Sequence, residues 1–327
     1  MVGVQHFKIP FIIGAGSGAG NILTEINIEG VRKIAVNSSW RDLDMLPEDI
    51  EKVRAGEGYG SGTEPSKGEK DYKMNGSKNL RETVEKVLQE SRIDDRDEVD
   101  LIPVIITAGF GFGSGSGPHI VSDLKKWFPK AVVLAWVTKP FDFEGEKVYW
   151  NSWKCIKNVM DKTGTIIVDN EYVARLVGKD KPLNMVLNMA NKYITRCINT
   201  FLKIATAKSY LSRIDRTDLN KYIGKGYVAF YTNTIREFDE LPRIYDSDSM
   251  LFPYLNYDHG GKMKIAVMIQ SSKTPPATFT EDIVKMAEEK FSKAKLQEAK
   301  TMVSIGGENI KVSVLIGGIA AEYRKPM

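Results

Sequence analysis

Two cysteines and three histidines in 327 residues leave little from which to build a metal centre or a disulfide framework. Cys155 and Cys197 lie in separate segments without a CxxC pattern, and His6, His119 and His259 each stand alone. No zinc site, no disulfide scaffold and no set of metal-ligating residues is therefore expected. No run of 18 apolar residues occurs, and the first residues carry no basic stretch leading into an apolar one, so membrane insertion is not expected. The expectation is a soluble, reduced, cytoplasmic protein. A net charge of +4 without any Lys/Arg-rich block gives no reason to expect direct nucleic-acid binding. The GxxxxGK[ST] pattern of a P-loop is also missing.

Glycine is plentiful, and it is bunched. Residues 101–106, Leu-Ile-Pro-Val-Ile-Ile, read as a buried parallel strand that begins at or just after Pro103. Directly behind it comes Thr107-Ala108-Gly109-Phe110-Gly111-Phe112-Gly113-Ser114-Gly115-Ser116-Gly117-Pro118. Alternate glycines form neither strand nor helix at acceptable entropic cost, so a turn is expected, with a helix over residues 119–128 after Pro118. Bare N–H groups at the positive end of a helix suit a polyanion, which makes a phosphate-binding turn a better reading than a flexible linker. Residues 7–13 form a first strand running into Gly14-Ala15-Gly16-Ser17-Gly18-Ala19-Gly20-Asn21, and a helix over 22–26 follows. Gly14-x-Gly16-x-x-Ala19 meets the loose dinucleotide fingerprint. The next strand, 31–36, ends in Asn37-Ser38-Ser39, without the acid that a nicotinamide dinucleotide's ribose wants. A third cluster, Gly56, Gly58, Gly60, Gly62 and Gly68 with Pro65, is on glycine content alone equally compatible with a mobile surface loop.

Strands and helices then alternate. Leu80, Val84, Val87 and Leu88 mark the buried face of a helix over 77–91. A strand over 131–137 ends at Thr138 to Gly145, a helix covers 149–162, and a strand over 165–168 ends in Asp169-Asn170-Glu171. This alternation predicts an α/β protein with a doubly wound parallel sheet, whose ligand binds outside the carboxyl ends of the strands, where the glycine turns converge. Residues 182–207 read as a helix of ~25 residues, roughly 37 Å long, with Met185 and Met189 assigned to its core side. Asp215 and Asp218 follow, on one side of a helical first turn. Helix N-capping is the ordinary explanation for them. As chemical groups they would lie a helix length from the glycine loops and could not serve the same subunit's phosphate site. Strands over 227–232, 263–271, 301–305 and 311–316, with a helix over 279–295 announced by Thr278-x-x-Glu281, suggest a smaller α+β C-terminal domain. Residues 233–261 show no sustained period.

Taken together, the loops resemble those of the tubulin/FtsZ superfamily of GTPases. Gly111 to Gly117, preceded by Thr107-Ala108-Gly109, resembles the GGGTGTG signature, with serines for both threonines and Phe112 for one glycine. Residues 14–21 resemble the first nucleotide loop, 58–68 the γ-phosphate-sensing loop, and Thr138-Lys139-Pro140-Phe141-Asp142-Phe143-Glu144-Gly145 the ribose-side loop. The resemblance covers residues 7–230 through six loops in the family's order, and the C-terminal part only in its strand–helix outline. It implies a doubly wound parallel-sheet GTPase domain, a long central helix and a smaller α+β domain, divided as 1–180, 181–211 and 212–327. It further implies GTP/GDP with Mg2+ as ligands. The contacts would be Gly16, Ser17, Gly18 and Asn21; Gly60, Gly62 and Gly68; Gly111, Phe112, Gly113, Ser114 and Gly115; Pro140, and Glu144 at the sugar; Asn170; and Asn184 at the guanine edge. Asp215 and Asp218 match the acidic NxDxxD synergy loop, with Arg213 where asparagine is expected. They would act catalytically on the GTP of the next subunit in a head-to-tail filament. The implied work is DNA or plasmid segregation, intracellular positioning or cell division, with an adaptor protein linking the filament to DNA or membrane. The acidic-apolar C-terminal peptide of division FtsZ is not recognised, so an FtsZ-like or TubZ-like relative of plasmid, phage or archaeal type fits at least as well as a housekeeping division protein. The alternatives are a non-hydrolysing structural or regulatory member of the superfamily and a nicotinamide-dependent dehydrogenase.

Overall fold

The apolar runs become the strands of one parallel sheet. The computed structural model describes residues 7–178, 181–211, 214–240 and 260–320. Among these, β1 (Phe11–Ala15), β2 (Arg32–Asn37), β3 (Ile50–Arg54), β4 (Leu101–Thr107), β5 (Val132–Lys139), β6 (Gly164–Asp169) and β8 (Gly226–Tyr227) form a seven-stranded sheet in the order β3-β2-β1-β4-β5-β6-β8. Every pairing in it is parallel. The order reverses between β1 and β4, which leaves a crevice at their carboxyl ends for a ligand. The doubly wound sheet expected from the alternation is present. Its seventh strand comes from beyond the long helix.

Three local expectations are corrected. The first strand starts at Phe11 rather than Phe7. β4 starts at Leu101, with Pro103 inside it. Pro103 pairs with Leu134 of β5, and pairing with β1 begins only at Val104, so its missing N–H falls where β1 is not yet alongside. The largest correction is the glycine stretch, which is helical: α5 runs Gly111–Trp127 with Pro118 inside it. The reason is crowding. A Cβ on Gly113 would stand 2.0 Å from the Thr107 carbonyl oxygen, and one on Gly115 would stand 2.0 Å from the Pro65 carbonyl oxygen. Helix α5 therefore lies directly against β4 and against α3 (Pro65–Asp71). Glycine's intrinsic helix penalty of about 1 kcal/mol per residue is overridden by this packing.

A second, mixed sheet has the order β7-β11-β10-β12-β9, with β7 (Ser209–Leu211), β9 (Ala229–Ile235), β10 (Gly261–Ser271), β11 (Lys295–Ile305) and β12 (Ile310–Ile319). Only the β10–β11 pairing is parallel. The strand expected over 227–232 divides between the sheets: Tyr227 pairs with Thr165 of β6, and from Ala229 on the chain pairs with β12. Helix α10 (Ala277–Lys290) has Pro276 at its N-cap and no side-chain cap, so the Thr278/Glu281 capping box does not form. It stops five residues short of Lys295, which opens β11 instead.

Helix α8 (Leu183–Thr206) lies between the layers. Its inner stripe includes Val186, Ala190, Ile194, Cys197, Ile198, Phe201 and Leu202. Trp136 of β5, Phe201 of α8 and Phe230 of β9 meet with ring centroids 4.9–6.3 Å apart and join sheet, helix and second sheet into one core. Met185 and Met189 are not in that core. They stand one residue, about 100° around the helix, from Val186 and Ala190, and are 45% and 42% exposed. Among the described residues no helix is long and apolar enough to cross a membrane.

Candidate nucleotide-binding site

Helix α1 (Ser17–Glu25) follows β1, and α5 follows β4. Gly16, with φ at 94°, allows the sharp entry into α1. A Cβ there would stand 3.5 Å from the backbone of Gly113, so the two helix starts touch across the crevice. Neither start has a side-chain cap or an acid in its first turn. By contrast α7 (Asn170–Val177) and α9 (Arg216–Ile223) are capped by Asp169 and Asp215. Two uncapped starts leave orphan N–H donors and the positive ends of two dipoles pointing into one space.

That space is a cavity of about 600 Å³. Of the residues expected from the sequence, Gly16, Ser17, Gly18, Asn21, Gly60, Gly62, Phe112, Gly113, Pro140, Glu144 and Asn170 line it. Gly68, Gly111, Ser114, Gly115 and Asn184 do not, and their contacts say why. Gly68 and Gly115 allow α3 and α5 to touch: a Cβ on Gly68 would stand 2.4 Å from the Gly111 carbonyl oxygen. The Gly111 N–H donates to the Gly62 carbonyl at 2.7 Å, tying two loops together. Ser114 Oγ accepts from the Gly109 N–H at 2.7 Å, holding the turn before the helix. Asn184 Oδ1 accepts from the N–H of its neighbour Met185. Asn188 and Asn191, four and seven residues further along α8, line the cavity with Leu187 and Ile194. Helical spacing from Asn184 was the signal that could have found them. Thr107, Phe110, Thr138, Phe141, Ser61 and Asn37, which lie in the segments singled out from the sequence but were not expected as contacts, also line it, as does Asp42, which no motif had singled out.

The cavity has two chemical ends. The glycine end offers backbone N–H groups. The other joins apolar Ile22, Leu187 and Ile194 to the side-chain amides of Asn21, Asn170, Asn188 and Asn191. Asn170 contributes a buried Oδ1 without a hydrogen-bond partner. Amides donate and accept, which matches the mixed edge of a nucleobase lying on an apolar face. Glu144 turns its Oε2 back to accept from the Phe141 N–H at 2.7 Å; burial pushes its carboxyl up, against the pull of that bond. The glycine-rich loop beside it is pinned. Asn75 accepts from the Gly56 N–H at 2.7 Å and donates to the Gly56 carbonyl at 3.2 Å, while Ser61 Oγ bonds Asp71 at 2.9 Å and Ser38 at 2.7 Å. The oxygens at the glycine end, Ser17 Oγ and the Asp42 carboxylate, are 2.5 Å apart. That donor chemistry fits magnesium, which binds through one or two carboxylates plus substrate phosphates.

A buried ion pair holds the floor. Lys139 Nζ stands 3.1 Å from Asp169 Oδ2, both side chains under 10% exposed. Asp169 also accepts from the N–H groups of Glu171 and Tyr172 and so caps α7 at Asn170. Asp169→Ala should lower stability by about 3 kcal/mol, because it leaves the buried Lys139 ammonium only the half-exposed Asp142 carboxylate at 3.6 Å and removes a cap; a urea midpoint that barely moves would refute this.

At the other end of α8, a cavity of about 350 Å³ is lined by Ala205, Ala207, Ile214, Asp215 and Arg216 among others. Asp215 and Asp218 form a reciprocal capping box on α9. Asp218 also meets Lys300 Nζ at 2.5 Å. Burial pushes the Asp218 carboxyl up, and Lys300, the Asp215 N–H and Lys221 together outweigh it, holding the group below the usual carboxylate range. Leu187, Asn188, Asn191 and Ile194 of α8 line the first cavity and Ala205 lines the second, so roughly 16–27 Å of helix lies between them. Arg213 lies outside the described residues.

The comparisons with known proteins agree with this geometry. The model of the Tubulin/FtsZ family, GTPase domain, matches residues 14–178, half of the chain. Cell division protein FtsZ 1 of Methanocaldococcus jannaschii is 26% identical over 261 residues; the match covers 76% of this chain and 66% of that protein, just under two thirds of its length. A GTPγS-bound protofilament of CetZ2 from Haloferax volcanii superposes with a TM-score of 0.75 at 18% identity, covering 95% of this chain and 93% of that one. A GTPγS-form protofilament of TubZ from Bacillus thuringiensis serovar israelensis gives a TM-score of 0.68 at 15% identity, covering 95% and 88%. With the family model matching half of the chain, over the residues that carry the glycine loops, and the fold shared across 95% of it, this chain belongs to the tubulin/FtsZ family.

Proposed function

We propose that the chain hydrolyses GTP within a head-to-tail filament and that each active site is completed by the next subunit. The observation that carries this reading is the separation of its parts: an uncapped double helix start at one end of α8, and Asp215 with Asp218 at the other. One subunit cannot bring both to a single phosphate. Two stacked copies can, and a heterologous contact of that kind grows without closing. The CetZ2 and TubZ protofilaments offer a precedent for such stacking.

In this reading the triphosphate lies on the N–H groups at the starts of α1 and α5, and the guanine lies against Leu187 and the amides of Asn170, Asn188 and Asn191. Pro140 and Glu144 take the ribose side. Magnesium, when bound, offsets phosphate charge. Asp218 of the adjoining subunit orients a water in line with the γ-phosphorus. The bond from that phosphorus to the β–γ bridging oxygen breaks, giving GDP and inorganic phosphate. Because Lys300 keeps Asp218 ionised, its role is to aim the water more than to store its proton. Loss of the γ-phosphate then removes its contacts with the loop around Gly60 and Gly62 and weakens the contact between subunits. Residues 1–180 serve as the nucleotide-binding domain, 181–211 as the connecting helix, and 212–327 carry the acids and the C-terminal domain. An adaptor protein would couple the filament to DNA or membrane.

The test is GTP turnover per subunit against protein concentration, with light scattering recorded in the same cuvette. Turnover should appear only above a threshold concentration and together with scattering. A rate per subunit that is constant down to the lowest concentration would mean a self-contained site. Filaments without turnover would favour a non-hydrolysing member of the family.

A further inference from the structure

Asn151 belongs to α6 (Glu146–Met160), lies outside every glycine loop and does not line the nucleotide cavity. Its half-buried side chain nevertheless grips the backbone on two sides of that cavity. Nδ2 donates to the Gly109 carbonyl at 3.0 Å and to the Thr63 carbonyl at 3.0 Å. Two carbonyl oxygens facing one group fix its chemistry, since only an NH2 can donate to both. Gly109 closes the turn that leads into α5, and Thr63 sits in the glycine loop of residues 58–68. One turn earlier on α6, Lys147 pairs with Glu64 of the same loop, but both side chains are 58% exposed and the pair adds little. Asn151 is the anchor.

The bond to Gly109 matters most. In a trans peptide the C=O and the N–H that follows it point in opposite directions. Asn151 draws the Gly109 oxygen toward α6, so the Phe110 N–H faces away from α6, and Phe110 itself lines the cavity. Among the described residues no group accepts from that N–H. Phe110 is the N-cap of α5, which sets this donor beside the orphan N–H groups of the helix start. The peptide is not rigid by itself. Gly109 has φ at 110°, and glycine gives way readily to the rotation that would exchange N–H for C=O. Ser114 Oγ holds the peptide before it, through the Gly109 N–H, and not this one. We propose that Asn151 is a positioning residue for phosphate binding. It locks the Gly109–Phe110 peptide with its N–H toward the cavity, so that the cradle presents a donor where a flipped peptide would present a carbonyl oxygen to the polyphosphate. The inference rests on the guanine-nucleotide reading above and deepens it: α6, which lends no residue to the cavity, sets the sign of one of its dipoles.

The experiment is equilibrium binding of GTP, and of guanosine by competition, to the full chain of the parent, Asn151→Leu and Asn158→Leu. Leucine keeps the shape of asparagine and removes its donors, and guanosine lacks the phosphates. Asn151→Leu should bind GTP roughly ten- to a hundredfold more weakly than the parent, the scale of one hydrogen bond to a charged group. Its affinity for guanosine should stay that of the parent. Asn158 is exposed on the same helix, and Asn158→Leu should bind both ligands as the parent does. An Asn151→Leu protein with the parent's GTP affinity would overturn the proposal. Equal loss of GTP and guanosine affinity would overturn it too, because Asn151 would then support the whole site and not its phosphate end. The same GTP loss in Asn158→Leu would also count against it, since any leucine on α6 would then suffice. If Asn151→Leu does not fold, Asn151→Ala takes its place with the same expected outcome. Should the parent bind neither GTP nor guanosine, the nucleotide reading itself is wrong and the role of Asn151 falls with it.

Discussion

Gly113→Ala should abolish GTP binding, with affinity falling at least 100-fold and stability by about 3 kcal/mol, the upper end for overpacking. The new methyl would lie 2.0 Å from the Thr107 carbonyl oxygen and 3.1 Å from that of Ala15. Both oxygens belong to strands at the centre of the parallel sheet, so neither can move aside cheaply. The helix must move instead, and Gly113 sits where α5 meets the start of α1. A shift of even 1 Å separates the two sets of N–H donors that would share the phosphates, and preorganised donors lose most of their value at that displacement. Gly117→Ala is the control. It lies one turn on, and its methyl meets only the Ile106 side chain, Cγ2 at 2.7 Å, so it overpacks the core at a cost in stability without pressing on the backbone that sets the two helix starts. It should keep most of the nucleotide affinity. Equilibrium binding of GTP and a urea titration on both variants decide the matter. If Gly113→Ala binds as the parent does, the junction of α1 and α5 is not the phosphate cradle.

The same residues show what the sequence reveals and where it stops. Residues 101–106 and 131–137 announce themselves as parallel strands because burial on both faces leaves a continuous apolar run, as in β4 and β5. The glycine stretch 111–117 declares closeness but not its direction. Backbone entropy argues for a turn, and only the carbonyl oxygens of Thr107 and Pro65, neither adjacent in sequence, require a helix without Cβ atoms. Tyr227 and Ala229 belong to different sheets because the chain crosses from one to the other at Val228, and a period-two pattern continues across such a crossing. Of the acidic pair, the ordinary reading is the one the fold displays: Asp215 and Asp218 form a reciprocal capping box on α9, and their catalytic role is the proposal tested below. Asp42 carried no signal. It sits in a five-residue helix too short for periodicity, and its meaning comes from Ser17, twenty-five residues earlier.

Asp218→Asn should reduce GTP turnover in assembled protein by roughly 10²–10⁴-fold, the range for losing a group that positions or activates the attacking water. GTP affinity and the threshold for scattering should stay as in the parent, since no residue of α9 lines the nucleotide cavity and at least roughly 16 Å of α8, from Ile194 to Ala205, lies between that cavity and the one beside Asp215. Asparagine suits the test because its Oδ1 can still accept from the Asp215 N–H, as Asp218 Oδ2 does at 3.2 Å, so α9 keeps its cap. What disappears is the charge opposite Lys300, whose side chain is 35% exposed and can turn to solvent; about 1 kcal/mol or less of stability should go with it. The sign of the pH effect separates this loss from a general one. The Asp218 carboxyl is held below its usual range in the folded chain. Its contribution is thus fully present above the unfolded value of about 4 and is lost as pH falls through the lower folded value. Between pH ~6 and ~8 the parent and Asp218→Asn should therefore differ by a constant stability, while their turnover differs by orders of magnitude. Parallel loss of turnover and GTP affinity would return Asp218 to a purely structural role, and the capping box would then be its whole explanation.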